Sequence, residues 1–101
     1  MTHIIAEFSQ NPRDVATVPT DRREPKWFYV SVFDGSVFVE SGKHHTSRPL
    51  ISSLRKLDPT EYPRMLELYR RRKSGEPVAQ EAVKTTHNQV YWYGIFAELK
   101  M

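Results

Sequence analysis

Residues 27–41 read WFYVSVFDGSVFVES, and this stretch decides the fold. Two runs rich in β-branched and aromatic residues flank Asp34-Gly35, a pair that favours the two positive φ angles of a type I′ turn. The sequence therefore predicts an antiparallel β-hairpin. A two-residue turn also fixes the register of its strands. The expected cross-strand pairs are Val32 with Val37 and Val30 with Val39.

Both faces of this hairpin are apolar. Side chains alternate between the two faces of a strand, which places on one face Phe28, Val30, Val32, Val37 and Val39. The other face carries Trp27, Tyr29, Ser31, Phe33, Phe38 and Glu40. A lone hairpin is marginally stable, so each apolar face needs a cover. We expect helices over the aliphatic face. Over the aromatic face we favour the N-terminal arm or a third strand, with a second copy of the chain or a ligand as alternatives.

The segments around the hairpin predict an arm and several helices. Ile4, Ile5 and Phe8 suggest a short strand or a tucked arm, so residues 1–26 are expected to form a loosely ordered arm or an edge strand. Residues 50–57 allow a strand or a helical turn. A helix is expected to begin at Asp58 or Thr60 and to end at Gly75. Residues 77–100 favour one or two helices, although their aromatic density leaves a strand as an alternative.

Together these elements predict one small α+β domain over residues 1–101, with a hairpin, or three strands, packed against two or more helices. The N-terminus has no basic and apolar leader, and no apolar run is long enough to span a membrane. We therefore expect a cytoplasmic protein without a membrane partner. A helix-turn-helix over residues 77–100 matches weakly, because Thr86 stands where glycine is usual and the second helix has almost no cations.

The residues that carry chemistry are sparse. The chain has no cysteine, and its histidines, His3, His44, His45 and His87, show no metal-ligand spacing. Its serines lie in no nucleophile elbow, its carboxylates show no acid–base pair, and its four glycines form no phosphate-binding loop. We therefore predict a protein without enzymatic activity, cofactor or metal, whose histidines lie at the surface or in loops.

The net charge of +3 is concentrated in one segment. Residues 52–75 hold seven basic and three acidic side chains, and Arg70 to Lys73 are consecutive cations near a helix end. Only Glu67 lies one helical turn before this run, so we expect the run to be incompletely neutralised. The candidate phosphate contacts are Arg70, Arg71, Arg72, Lys73, Arg55, Lys56 and Arg64. An alternative is that the run only complements the helix dipole and keeps the protein soluble.

Aromatic rings beside cations suit nucleic acid, because cations bind the phosphates and rings stack on bases. The candidate stacking or interface residues are Trp27, Tyr29 and Phe38. The first hypothesis is a small accessory protein, of a phage or a mobile element, that binds DNA or RNA. The alternative is a protein-interaction module or homo-oligomeric subunit without enzymatic activity, because exposed aromatic residues and arginine also dominate protein interfaces.

Overall fold

The computed structural model describes residues 1–20, 23–45 and 53–101. Its elements are α1 (Thr2–Gln10), β1 (Arg13–Ala16), β2 (Trp27–Phe33), β3 (Ser36–Ser41), β4 (Arg55–Lys56), a 3₁₀ turn (Pro59–Glu61), α2 (Tyr62–Lys73), α3 (Ala79–Thr85) and α4 (Gln89–Glu98). The strands form one antiparallel sheet in the order β1-β2-β3-β4. The predicted α+β class is confirmed, with one strand more than the three that were allowed for.

The hairpin has the predicted turn and register. Asp34 and Gly35 have φ angles of +51° and +74°, as a type I′ turn requires. The expected pairs, Val32 with Val37 and Val30 with Val39, lie opposite each other. The strand β4 adds a short edge beside β3, at the end of the stretch where a strand or a helical turn was expected. Residues 50–52 of that stretch lie outside the described residues.

Replacing Gly35 by valine tests the turn. We expect a loss of about 1–3 kcal/mol in the free energy of unfolding, because a β-branched side chain is strained at positive φ. An added Cβ at this position would meet no atom within 4 Å, so the backbone conformation alone accounts for the cost. Urea denaturation measures the loss. Ser36→Val is the control, since valine suits a strand, and an unchanged stability of Gly35→Val would contradict the type I′ turn.

The aliphatic face of the hairpin forms one side of the hydrophobic core. Its residues Phe28, Val30, Val37 and Val39 are almost completely buried. Helical side chains cover them and join the same cluster, which includes Ile4, Phe8, Met65, Leu68, Trp92, Ile95 and Phe96. The expectation that helices cover this face is confirmed. We call it the inner face, and the opposite side of the sheet the outer face.

The N-terminal segment differs from its prediction. Ile4 and Phe8 lie on a helix, α1, and not on a strand, and both side chains are buried. Because α1 packs against β2 and β3 within the inner-face cluster, it does not cover the aromatic side of the hairpin. The strand β1 extends the sheet sideways at its edge. Neither α1 nor β1 therefore covers the aromatic face, although this was expected of the arm or a third strand.

The helices after the sheet follow the sequence closely. The Asp58 carboxylate accepts a hydrogen bond from the Thr60 amide at 2.9 Å and caps the 3₁₀ turn. The α-helix proper begins only at Tyr62, which places Pro63 in its tolerant first turn. Gly75, with a φ of +95°, follows the end of α2 as predicted.

Residues 77–100 form two helices, which settles the alternatives of one helix or a strand. Within α4, residues 91–96 are all buried. An added Cβ on Gly94 would lie 2.8 Å from the Ala16 carbonyl oxygen and from the Phe28 ring, so glycine permits α4 to approach the sheet closely. A buried α4 serves the core and offers no recognition helix for a DNA groove. None of the helices in the described ranges has the length and apolar character needed to cross a membrane.

Candidate functional site

Two of the predicted phosphate-binding arginines are neutralised within the chain. Arg71 contacts the Glu81 carboxylate at 2.9 Å, that of Glu76 at 2.6 Å and that of Glu67 at 3.7 Å. Arg64 binds Glu67 at 3.0 Å and Glu81 at 2.8 Å. The hydrogen bonds that Arg71 donates to Glu81 and then to Glu76 raise its pKa. Glu67 contacts Arg71 at the expected helical spacing, and Glu76 and Glu81 reach it from beyond α2, so these arginines tie α2 to α3.

Other predicted cations also have partners. Arg72 donates a hydrogen bond of 2.6 Å to the Val18 carbonyl oxygen, and its guanidinium lies 4.8 Å from the centre of the Tyr93 ring. Arg55 donates to the Asn88 side chain at 3.3 Å. These contacts hold the loop after β1 and the start of α4 in place.

The remaining predicted cations are more available. The Lys73 ammonium lies 5.2 Å from the centre of the Tyr69 ring and is exposed. The Arg70 side chain is exposed and makes no hydrogen bond or ion pair within the described part of the chain. Lys56, on β4, is exposed as well. Arg70, Lys73 and Lys56 are therefore accessible cations among the predicted residues, and Arg55, bound to a neutral amide, keeps its charge at the surface as well.

The basic run and the aromatic residues are not neighbours. The run ends α2, which packs against α3 and α4 on the inner side of the sheet. Trp27, Tyr29 and Phe38 alternate with buried inner-face residues and thus project from the outer face. Of the predicted cations, only Lys56 lies with the aromatic residues.

Four aromatic residues form a row along the outer face of the hairpin. In the observed register, Phe38 is opposite Ser31 and lies diagonally between Tyr29 and Phe33, and Trp27 continues the row beyond Tyr29. Phe33 is 75% exposed, whereas the other three rings are partly buried. We call Trp27, Tyr29, Phe38 and Phe33 the aromatic row.

Lysines flank this row on both sides. Lys56 is paired with Phe38 across β3 and β4, so the two side chains share the outer face. On the other side, the Lys43 ammonium lies 4.2 Å from the centre of the Tyr29 ring and 3.9 Å from the Glu40 carboxylate. Rings and lysines thus share the outer face with the Glu40 carboxylate, to which Lys43 is paired.

A buried carboxylate holds the loop that supplies Lys43. Asp14 projects from β1 beside Tyr29 and accepts hydrogen bonds from the backbone amides of Lys43, His44 and His45 at 2.8, 2.7 and 2.8 Å. Its side chain is 1% exposed. Burial alone would raise the pKa of Asp14, but these bonds and one from the His45 ring outweigh it and lower the pKa to about 2. The loop is therefore fastened to the sheet through a charged group.

The same loop places an imidazole on the aromatic row. The His45 Nδ1 atom lies 3.0 Å from the Asp14 carboxylate. Its ring stacks on Trp27 with the ring centres 3.7 Å apart and the planes inclined by 13°. Sequence reasoning treated His45 as a loop residue and Asp14 as one of several scattered carboxylates. Only the pairing of β1 with β2 brings the two together.

The described residues contain no group of three or more histidine, aspartate or glutamate side chains arranged to hold a metal ion. Comparison with protein-family models, with curated proteins and with solved structures finds no match for this chain. Its function is therefore argued from the outer face itself.

Proposed function

We propose that this protein binds single-stranded nucleic acid on the outer face of its sheet, as a small accessory protein. The observation that carries the proposal is the aromatic row flanked by Lys43 and Lys56. Aromatic rings stack on bases of any sequence, and lysines neutralise the phosphates between them. Unpaired bases are needed because a duplex keeps its base faces stacked on one another.

The exposed tip of the row supports this proposal. Soluble proteins rarely leave large aromatic surface in water without a use for it. Phe33 is 75% exposed at the tip of the hairpin, and the described helices all lie on the inner side. Arg70 and Lys73, at the end of α2, add positive charge that attracts an anionic strand over a longer range.

A second candidate is self-association through the same face. Phe33 and Leu54 are large apolar side chains that are more than half exposed. Phe33 is the last residue of β2, and Leu54 directly precedes β4. Two copies that bury these side chains against each other would form a protein interface. We place this candidate second, because lysines on both sides of the row suit a phosphate backbone better than a second copy with the same charges.

Anisotropy titrations of labelled oligonucleotides test the first proposal. We expect the protein to bind a single strand more tightly than a duplex, with an affinity that falls steeply as salt rises. The double variant Lys43→Ala/Lys56→Ala is expected to reduce the slope of log affinity against log salt by about 1.4, since each lost phosphate contact removes about 0.7. Phe38→Ala is expected to weaken binding by about 5-fold to 150-fold at unchanged slope.

A matched charge control is Lys84→Ala combined with Lys100→Ala, which removes the same charge away from the sheet. We expect this pair to change the slope little. If the unmodified protein binds neither strand nor duplex at low salt, the proposal fails. A dimer mass in solution that Phe33→Ser converts to a monomer would then establish self-association in its place.

A further inference from the structure

The loop at residues 42–45 changes which ring of the aromatic row can receive a base. One face of Trp27 is already occupied, because the His45 imidazole lies parallel to it at stacking distance. The His45 side chain itself is 49% exposed. A strand that approaches from solvent thus meets the imidazole before it meets the indole.

The loop is not free to swing away and uncover Trp27. Three backbone amides of residues 43–45 and the His45 ring all bond to one carboxylate, that of Asp14. Hydrogen bonds to a charged and buried acceptor are among the stronger ones in proteins. Opening the loop would break all four of these bonds at once.

We propose that His45, and not Trp27, is the ring on which a nucleobase stacks at this end of the row, and that Asp14 acts as a positioning residue through it. The inference rests on the proposed function. Histidine is among the side chains that stack on unpaired bases. Trp27 is the rigid support behind the imidazole, and Lys43, two residues away on the same loop, takes the adjoining phosphate.

The test uses a fluorescein-labelled oligothymidylate of about 10 nucleotides, within the range of site sizes of such surfaces. His45→Ala is expected to weaken binding by about 5-fold to 150-fold, the range for loss of one stacked base. His45→Phe is expected to bind more tightly than His45→Ala but less tightly than the unmodified protein, because it keeps a ring and loses the bond to Asp14. The matched control is His44→Ala, since His44 is exposed and contacts Asp14 only through its backbone amide.

A double-mutant cycle separates positioning from a general structural role. Asp14→Asn is expected to weaken binding less in a His45→Ala background than when His45 is present, because part of its effect passes through the imidazole and the rest through the loop that supplies Lys43. Addition of the strand should also shift the His45 ring proton signals upfield in NMR spectra of the unmodified protein, as a stacked base does. Additive effects of the two substitutions would overturn the positioning role.

The outcomes distinguish this inference from the proposed function. If Phe38→Ala weakens binding while His45→Ala leaves it unchanged or tightens it, no base stacks on His45 and the inference fails, although the sheet still binds the strand. If the unmodified protein binds no oligothymidylate at low salt, both fail. The inference is supported if His45→Ala weakens binding, if His45→Phe binds more tightly than His45→Ala, and if His44→Ala binds like the unmodified protein.

Discussion

Val39→Asp is expected to unfold the protein at neutral pH. The Val39 side chain is 0% exposed and faces Val30 on the inner face of the sheet. A carboxylate there loses its hydration without gaining a partner, at an effective cost of several kcal/mol. A chain of this length is stable by only about 5–15 kcal/mol, so one such charge removes much or all of the margin. Far-UV circular dichroism and the dispersion of NMR signals at pH 7 report the result.

The neighbouring position gives a matched control. Phe38 follows Val37 and precedes Val39 on the same strand, but its side chain projects from the outer face. Phe38→Asp introduces the same charge into partly exposed surroundings, and we expect it to stay folded at a cost of about 1 kcal/mol. If Val39→Asp melts like the unmodified protein, or if only Phe38→Asp unfolds, the assignment of the two faces is wrong.

The hairpin could be predicted because its determinants are local. Asp34-Gly35 fixes the turn, the turn fixes the register, and the register with strict alternation fixes both faces. The same logic identified Trp27, Tyr29 and Phe38 as outer-face residues. The sequence of the hairpin alone was therefore enough to predict that these three side chains lie close together on one face.

The N-terminal helix could not be predicted in this way. The helix α1 has nine residues and no side-chain cap at its start. A helix this short is marginal in isolation and depends on the burial of its apolar side, here Ile4 and Phe8, against the sheet. The strand β1 has four residues, and it pairs with β2 because the chain between the two strands turns back along the sheet edge. Both elements are consequences of tertiary packing.

The sequence predicted the aromatic residues of the candidate site, but it did not predict which cations lie beside them. Arg71 looked free because its main partners, Glu76 and Glu81, belong to the turn after α2 and to α3. Contacts between successive helices are not visible in helical spacing. The bond between Asp14 and His45 spans 31 residues and depends on the register of the edge strand β1. No local pattern in the sequence signals such a contact.

Asp14→Asn is expected to lower the free energy of unfolding at pH 7 by about 2 kcal/mol. The fall in the pKa of Asp14 from 3.8 to about 2 on folding corresponds to this amount at neutral pH. An asparagine keeps the shape, but it carries no charge, and its amide group adds donors where three backbone amides already need an acceptor. Urea denaturation of the two proteins at several pH values measures the difference.

The pH dependence identifies the origin of this loss. Because the folded-state pKa of Asp14 is lowered, its contribution is fully present above pH 3.8 and is lost as the pH falls through about 2. The difference between the unmodified protein and Asp14→Asn should thus be constant from neutral pH down to about 4 and should shrink below it. Asp58→Asn is the control, because the Asp58 carboxylate also accepts a backbone hydrogen bond but is exposed to solvent. A difference that persists unchanged at pH 2 would mean that the asparagine amide, and not the loss of the Asp14 charge, destabilises the loop.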